Sequence, residues 1–406
     1  MVEWKEYRIK DLGEVVTGNT PPTSNREYYG TEYKFIKPTD MVEGQRFVST
    51  TEEYYSELAY QKYKKCLLPP KTPCVVTIGS LGKKMCLTDT ECFTNQAVNA
   101  VIPNKENDGE FLYYAFKASV LAYVKQLDSG TTSGRENVSK SSFSKIKVRV
   151  PPLPTQQKIA SILSAYDNLI QNYKKQIEAL QTAASELYKE WFVRFRFPGY
   201  KNSRFENGIP EGWKIERIGN IGEVIGGGTP STENEEYWDG DIPWLSPVDL
   251  SDNTNVYVSR GGKNITKLGL QKSSAKMMPK DTVLLSSRAP VGYVALAKNP
   301  ICTNQGFKSV VCNTSVIQPI YLYFYFRMNK NYLQSIASGA TFPELSGSMM
   351  KKLKVLLPQM ELQKEFSKKA NIFISKAELL SEQITNLTQQ RDLLLPRLMR
   401  GALEVH

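Results

Sequence analysis

The sequence is poor in the residues and motifs on which most enzymes depend. Its 406 residues include one histidine, His406, although histidine is the commonest general base and metal ligand near neutral pH. It contains neither a GxxxxGK(S/T) phosphate loop nor a GxGxxG motif that opens a βαβ unit. The glycine-rich segment at 226–229 lacks the lysine that a phosphate loop requires. We therefore expect a non-catalytic chain that holds no cofactor of its own.

Paired cysteine motifs and long apolar runs are also lacking. The six cysteines show no CxxC spacing, so we expect small buried residues in a reducing compartment and no metal site. No stretch reaches the roughly 18 consecutive apolar residues of a membrane span. The first six residues do not contain the apolar segment of a signal peptide. These features predict a cytoplasmic protein without a membrane partner.

Positive charge is in excess. The chain has 52 Lys and Arg against 41 Asp and Glu, a formal net charge of +11. Such an excess favours a polyanionic partner, because Lys and Arg displace counterions from phosphates. The charge alone fits an ordinary basic protein equally well, so the partner has to be argued from the rest of the sequence.

The two halves of the chain repeat each other. Trp4-Lys5 recurs as Trp213-Lys214, an offset of 213 − 4 = 209. With that offset, 16 of the 38 positions in 4–41 are identical to 213–250, where average composition would give about two. The match continues through Thr94-Asn95-Gln96 with Thr303-Asn304-Gln305, and through Gln157-Lys158 with Gln363-Lys364. A repeat of this length is too long for a solenoid unit and predicts two complete domains.

Each repeat begins with short β-type runs that turn residues interrupt, such as 74–78, 146–150 and 283–286. Apolar runs at 111–116 and 321–326 predict short buried helices. The expected fold class is mixed α/β (α+β), arranged as a pseudo-twofold internal duplication. We expect a first lobe at 1–154, a central helical spacer at 155–200, a second lobe at 201–358 and a C-terminal helical spacer at 359–406.

Each repeat ends in a predicted long helix. A helix of roughly 36 residues is about 54 Å long at 1.5 Å per residue. About five heptads favour a helix–helix seam over packing on one lobe alone, and the duplication favours an antiparallel coiled-coil pair. The apolar rows are Ile159, Tyr166, Tyr173, Leu180 and Leu187, then Leu163, Ile170, Ile177, Ala184 and Trp191, and in the second helix Phe366, Phe373, Leu380, Leu387 and Leu394.

Polar loops of both lobes carry side chains suited to DNA. Arg and Lys fit guanine edges, Asn and Gln fit adenine edges, and Ser and Thr bind either bases or phosphate. The candidates are Asn19, Thr20, Ser80, Lys83, Lys84, Thr131, Thr132 and Arg135 in the first lobe, and Thr229, Ser286, Ser287, Arg288 and Thr341 in the second. Arg135 and Arg288 are favoured most, because their loops contain few other charges. Asn95-Gln96 and Asn304-Gln305 match between the lobes, so we expect them to belong to the scaffold.

The chain resembles the specificity subunits of type I restriction–modification systems. The resemblance rests on the lobe openings at 4–21 and 213–230 and on Pro-Pro-Leu-Pro-Thr-Gln-Gln-Lys-Ile-Ala at 151–160. It also rests on Glu-Trp-Phe-Val-Arg-Phe at 190–195 and Arg-Asp-Leu-Leu-Leu-Pro-Arg-Leu at 391–398. The segment Gln-Met-Glu-Leu at 359–362 departs from the usual proline-rich form, which leaves the start of the second helix open by a few residues.

The resemblance implies a division of labour. Each lobe would be a target recognition domain that binds one half of a split sequence in double-stranded DNA, and the helices would set the gap. Two modification methyltransferase subunits would dock on the helical rows, bind S-adenosylmethionine and methylate adenine N6. Restriction subunits would join with ATP and Mg²⁺ to form a translocating nuclease.

Two other interpretations stay open at this stage. One is a coiled-coil scaffold whose lobes bind proteins, which predicts little salt dependence of any DNA binding. The other is a nucleic-acid enzyme that uses carboxylates, for which Asp40 and Asp249 or Glu14 and Glu223 are the repeated acidic pairs. We favour a turn or cap role for these four residues.

Overall fold

The chain forms two compact units. The structure, a computed structural model, describes residues 3–127, 137–251, 253, 255–288, 290–337, 343–403 and 405. One unit comprises Met1–Asn172 with Ile384–His406, and the other comprises Tyr173–Gln383. Because both divisions fall inside the long helices, each unit contains one lobe and one half of each helix. The four-segment domain division expected from the sequence stays a prediction.

The first lobe alternates short strands and short helices, as the interrupted β-type runs predict. Its strands are β1 (Lys5–Arg8), β2 (Gly13–Thr17), β3 (Tyr29–Ile36), β4 (Glu53–Tyr55), β5 (Pro73–Val76), β6 (Met85–Leu87), β7 (Cys92–Thr94), β8 (Val98–Pro103) and β9 (Lys147–Val150). Its helices are α1 (Ile9–Leu12), α2 (Glu57–Tyr63), α3 (Gly109–Ala115), α4 (Leu121–Gln126) and α5 (Lys140–Lys145), followed by the long helix α6 (Leu153–Tyr188).

The second lobe has the same plan. Its strands are β10 (Phe205–Glu206), β11 (Ile209–Pro210), β12 (Lys214–Arg217), β13 (Gly222–Gly226), β14 (Trp238–Leu245), β15 (Tyr257–Val258), β16 (Lys263–Ile265), β17 (Val283–Leu285), β18 (Val294–Ala297), β19 (Cys302–Thr303), β20 (Lys308–Cys312) and β21 (Lys354–Leu357). Its helices are α7 (Ile218–Ile221), α8 (Lys267–Gln271), α9 (Pro319–Met328), α10 (Lys330–Ile336) and α11 (Gly347–Lys352), followed by the long helix α12 (Met360–Met399).

The sheet order confirms the duplication. The main sheet runs β2-β8-β5-β6 in the first lobe and β13-β20-β17-β18 in the second, where β15 is added at the edge. A smaller sheet runs β4-β3-β7 in one lobe and β16-β14-β19 in the other. Its central strand is irregular at Tyr29/Tyr33 in the first lobe and at Trp238/Ile242 in the second, an offset of 209 in both positions. The two halves therefore share their topology and local irregularities as well as their opening sequence.

Aromatic helices supply much of each core, as the apolar runs predict. In α3 the residues from Phe111 to Ala115 are all buried, and α9 buries Tyr321, Phe324 and four further side chains. Such rings bury large apolar areas and dominate core energetics. They pack against the long helices and against the π-helical turn Lys189–Val193 that continues α6. Tyr321 lies 4.8 Å from Phe192, ring centre to ring centre, and Phe324 lies 5.6 Å from Phe366.

The long helices have the predicted heptad burial and run antiparallel. Leu163, Ile170, Ile177, Ala184 and Trp191 are all buried, whereas most of the other row on α6 is half-buried. In the unit that contains the second lobe, Tyr188 contacts Phe366 at 5.8 Å between ring centres. In the same unit, Leu180 and Phe373 line one small cavity. Residue numbers thus fall along α12 as they rise along α6, which is the antiparallel order.

A buried glutamine joins each long helix to its own lobe. Gln156 Oε1 accepts a hydrogen bond from the backbone N–H of Asp108 at 2.9 Å, and its Nε2 donates to the Pro151 carbonyl at 2.9 Å. Gln363 accepts from the N–H of Gln318 at 3.0 Å and donates to the Pro358 carbonyl at 2.9 Å. The sequence pairs Gln363 with Gln157, but the structural equivalent is Gln156, because the offset at the helix start is 207.

The unit that contains the first lobe has a buried ion pair between the helices. Arg391 Nη1 lies 2.5 Å from Asp167 Oδ1, and the two side chains are 10% and 9% exposed. Asp167 also accepts a 2.6 Å hydrogen bond from the Tyr114 hydroxyl. Burial, with the Asp167 charge adding to it, raises the pKa of Tyr114 well above its ordinary value, so the phenol stays a donor. At an offset of 207, the equivalent residues in the second unit are Ile374 and Ala184.

Within the described residues, no helix combines the length and apolar character needed to cross a bilayer. The same part of the chain contains no group of three or more His, Cys, Asp or Glu side chains placed to hold a metal ion.

Asp167→Ala is expected to lower the free energy of unfolding by about 3 kcal/mol, because it removes one of the two carboxylates that pair with the buried Arg391 guanidinium within the described residues and deprives Tyr114 of its acceptor. Urea unfolding of the full chain would measure the change. The control is Lys369→Ala, which removes an exposed pair at 3.9 Å and should cost less than about 0.5 kcal/mol. Equal costs for the two variants would show that the buried pair does not stabilise the unit.

Candidate nucleic-acid interface

Both lobes use the same hydrogen bonds to shape the loop that follows the first strand of the main sheet. The Thr20 hydroxyl donates to Gln96 Oε1, and the Thr229 hydroxyl donates to Gln305 Oε1. A glycine precedes each threonine by two residues, and a Cβ on Gly18 would lie 2.1 Å from the Thr94 carbonyl oxygen. The loops are therefore fixed by backbone approach and by a shared Thr–Gln bond, as expected for scaffold residues.

Beside this loop, the first lobe contains a neutral network. The Thr17 hydroxyl donates to Asn99 Oδ1 at 2.5 Å, and Asn99 Nδ2 donates to the Thr77 hydroxyl at 2.8 Å. Asn99 is buried. These contacts pair the polar side chains of three uncharged residues with one another.

The second lobe has charged residues at the equivalent place. Glu344 Oε2 lies 3.1 Å from Arg288 Nε, and Glu344 Oε1 lies 3.3 Å from Lys308 Nζ. Lys308 stands opposite Gly226 in the β13–β20 pair, as Asn99 stands opposite Thr17 in β2–β8. We call Arg288, Lys308 and Glu344 the charged triad.

The backbone holds the triad together. Arg288 and Glu344 form an isolated β-bridge, and the Leu345 N–H donates to the Ser287 carbonyl at 2.9 Å. Partial burial alone would raise the pKa of Glu344, but hydrogen bonds from Arg288 and Lys308 hold it below its ordinary value. Glu344 is therefore a carboxylate at neutral pH, and it joins two cations, Lys308 on β20 and Arg288 in the segment after β17.

The first-lobe candidates are dispersed. Asn19, Ser80 and Lys83 are exposed, so their side chains are accessible to a ligand. Lys84 Nζ donates to the Pro38 carbonyl at 2.8 Å, and Thr20 is bonded to Gln96. Thr131, Thr132 and Arg135 lie outside the described residues, as does Thr341 of the second lobe.

The second-lobe candidates divide into scaffold and surface. The Ser286 hydroxyl donates to the Pro290 carbonyl at 2.7 Å, and the Ser287 hydroxyl donates to the Gly306 carbonyl at 3.1 Å. Both serines are fully buried, so their hydroxyls are not accessible to DNA in this conformation, contrary to the expectation for them. Arg288 is exposed and Thr229 is half-buried, and Gln305 and Lys308 lie between them.

Lys308 and Glu344 join Arg288 in the structure, and the sequence did not predict this association. They come from a strand and from a loop more than 30 residues away, and neither belongs to a motif or a periodic row. The one available signal was the position of Lys308 just after the repeated Asn304-Gln305.

The repeated aspartates have a structural role, as the sequence analysis favoured. Asp40 accepts hydrogen bonds from the N–H groups of Lys37 and Glu52 at 2.7 and 2.9 Å. Asp249 accepts from the N–H groups of Ser246 and Gly262, both at 2.7 Å. Both carboxylates accept hydrogen bonds from backbone N–H groups of turns, which argues against the interpretation as an enzyme that uses carboxylates.

A family model described as the type I restriction modification DNA specificity domain matches residues 1–182 and 210–389, well over half of the chain. The chain belongs to this specificity family. The two matched segments coincide with the two repeats.

Curated relatives of this specificity chain agree. It is 44% identical over 179 residues to the type I restriction enzyme MjaIX specificity subunit of Methanocaldococcus jannaschii, a match that covers 44% of this chain and 41% of that protein. It is 23% identical to the HindI specificity subunit of Haemophilus influenzae, across 99% of this chain and 100% of that one. The fold is similar to that of the type I restriction-modification S subunit from M. genitalium, with a TM-score of 0.65 and 18% identity over 98% of this chain and 96% of the other.

In the specificity chain, the apolar side chains predicted to bind partners are buried or half-buried. Ile159, Phe366 and Leu380 are buried in the chain's own cores. Half-buried members are Tyr166, Tyr173, Leu180, Leu187, Phe373, Leu387 and Leu394. A different row is exposed: Ile372, Leu379 and Leu393, which lie seven and fourteen residues apart on α12 and are 66%, 47% and 70% exposed. We call these three residues the outer row.

Arg288→Ala is expected to weaken DNA binding by about 1–3 kcal/mol and to change base selection on one side of the target only, if the contact is bidentate. Methylation-site mapping of the assembled complex would measure the change. Arg204→Ala, an exposed second-lobe residue, is the charge-matched control. An unchanged set of modified sites in Arg288→Ala would remove Arg288 from the interface.

Proposed function

We propose that this chain is the DNA-specificity subunit of a type I restriction–modification complex and that it performs no chemistry itself. Each lobe binds one half of a bipartite target in double-stranded DNA. Two modification subunits methylate adenine N6, which requires the base to leave the stack. Restriction subunits complete the assembly. S-adenosylmethionine, ATP and Mg²⁺ belong to those partners.

One observation carries the proposal. Two lobes with the same sheet order present different chemistry at the same sheet end, neutral Thr17, Asn99 and Thr77 in one and the charged triad in the other. A shared scaffold with divergent polar groups is what two readers of different half-sites require, since base edges are distinguished by their donor and acceptor patterns. The net charge of +11 supports a polyanionic target.

The helices support two further parts of the proposal. Each is a single long helix, and a helix extends by 1.5 Å per residue. Its length could therefore set the distance between the two half-sites. The outer row supplies exposed apolar side chains, Ile372 and Leu379 in one unit and Leu393 in the other, which a partner protein could cover. We assign it to the modification subunits.

Inserting one heptad into α6 and a matching heptad into α12 should lengthen the non-specific gap by about three base pairs, since seven residues add about 10 Å. Both half-sites should stay unchanged. Genome-wide mapping of modified adenines would measure gap and half-sites together. A seven-residue insertion at the turn between β10 and β11, around Asn207, is the control and should leave the gap unaltered.

Altered half-sites with an unaltered gap would contradict the ruler. A complex that shows no salt-dependent, sequence-selective binding to any DNA would contradict the proposed function as a whole and favour the coiled-coil scaffold.

Ile372→Asp and Leu393→Asp are each expected to weaken binding of the modification subunit by about tenfold or more, because a charge replaces a desolvated apolar contact. Titration calorimetry with the purified modification subunit would measure the affinity. Val248→Asp changes a side chain that is 76% exposed in the second lobe and is the matched control. Equal affinities for all three variants would exclude the outer row as the docking surface.

A further inference from the structure

We propose that Glu344 is a positioning residue that orients the Arg288 guanidinium toward a guanine, so that the second lobe selects guanine at one position of its half-site. This inference rests on the proposed function. It assigns a base to the second lobe and a role to a carboxylate that cannot itself attract DNA.

The geometry of the pair supports a positioning role. Glu344 meets Arg288 at Nε, with a distance of 3.1 Å. The end of the guanidinium remote from Nε carries the two Nη groups, and those form the parallel fork that matches O6 and N7 of guanine. A carboxylate at Nε therefore fixes the rotamer of Arg288 and leaves the two Nη groups available to bind guanine.

The surroundings determine which of the two cations faces outward. The Lys308 side chain is 17% exposed, whereas that of Arg288 is 49% exposed. Lys308 also lies 3.5 Å from the Gln305 carbonyl, inside the shared loop scaffold. Lys308 thus acts as the inner counterion of Glu344, and Arg288 is the cation that a ligand can reach.

Backbone contacts make this arrangement rigid. Arg288 and Glu344 are β-bridged, and the N–H groups of Ser287 and Arg288 both donate to the Gly306 carbonyl, at 2.7 and 3.3 Å. An arginine whose backbone and carboxylate partner are both held loses less side-chain freedom when it binds. The same reasoning explains why an ion pair of this exposure can matter for recognition while it contributes little to folding.

The first lobe shows that the triad is not required by the scaffold. Thr77 and Ile78 donate to the Ala97 carbonyl at 2.8 and 3.3 Å, as Ser287 and Arg288 do to Gly306. Ile78 is bridged to Asn137 in the way that Arg288 is bridged to Glu344. The equivalents of Arg288, Lys308 and Glu344 are therefore Ile78, Asn99 and Asn137, all uncharged. Among the described residues, the first lobe forms the same bridge and the same backbone hydrogen bonds without these charges, so the scaffold does not require them.

Glu344→Gln tests the assignment in the complex with its modification subunits, using fluorescence anisotropy on duplexes of the mapped target. Cognate affinity should fall about 3- to 10-fold, and discrimination at one base pair should fall by a similar factor. Affinity for unrelated duplexes should stay the same or rise slightly, because a negative charge has been removed. Glu206→Gln, an exposed carboxylate in the same lobe, is the control and should leave discrimination intact.

A duplex with 7-deazaguanine at the assigned position identifies the base. It removes the N7 acceptor, so the wild-type complex should bind it more weakly, and Arg288→Ala should bind it as well as the normal duplex. Equal binding of both duplexes by the wild type, or a relaxed position in Arg288→Ala that is not a guanine pair, overturns the guanine assignment.

The outcomes separate the two proposals. If wild-type protein selects a sequence and Glu344→Gln retains full discrimination, the positioning role is wrong and the proposed function stands. If Glu344→Gln tightens binding to every duplex equally, Glu344 is only a repulsive charge, and the inference is again wrong. A wild-type complex without sequence selectivity contradicts the proposed function itself.

Discussion

The hydrophobic core of each lobe includes side chains from both long helices, and the rest of the structure depends on this packing. The core of the first lobe joins Tyr113 and Tyr114 of α3 to Ile159 and Leu163 of α6 and to Leu395 and Leu398 of α12. The core of the second joins α9 to Tyr188, Trp191, Phe366 and Ala370. Each lobe buries its aromatic helix against parts of both α6 and α12. Each compact unit therefore combines segments that are far apart in the sequence.

Duplication has preserved the contacts that build this arrangement. The paired glutamines at the helix starts, the paired aspartates in the turns and the Thr–Gln bonds beside the sheets occupy equivalent places in both lobes. The glutamines and the aspartates satisfy backbone groups that would be costly to leave unpaired, and the Thr–Gln bonds fix exposed loops. These contacts are common to both lobes and hold the backbone in the same conformation in each.

The lobes differ where the scaffold leaves a choice. The pair Asp167–Arg391 joins the helices in one unit, and Ile374 and Ala184 take those places in the other. The charged triad replaces a neutral network at the sheet end. A buried pair of charges is weak evidence for added stability but can fix a unique register between helices, whereas the ion pair of the exposed Arg288 contributes little to folding.

The sequence by itself determined the twofold plan, the two long antiparallel helices, the buried aromatic runs and the structural role of the repeated aspartates. Each of these follows from a regular spacing or from a constant offset between the halves. Such signals can be read along the sequence without knowing which segments contact each other. The tertiary structure alone decided that Ser286 and Ser287 face inward, that Gln156 rather than Gln157 is the buried equivalent of Gln363, and that Lys308 and Glu344 meet Arg288. It also paired Asp167 with Arg391 across 224 residues. Strand pairing and helix packing create these contacts between segments far apart in the chain. The sequence of one segment does not specify which distant segment it will contact.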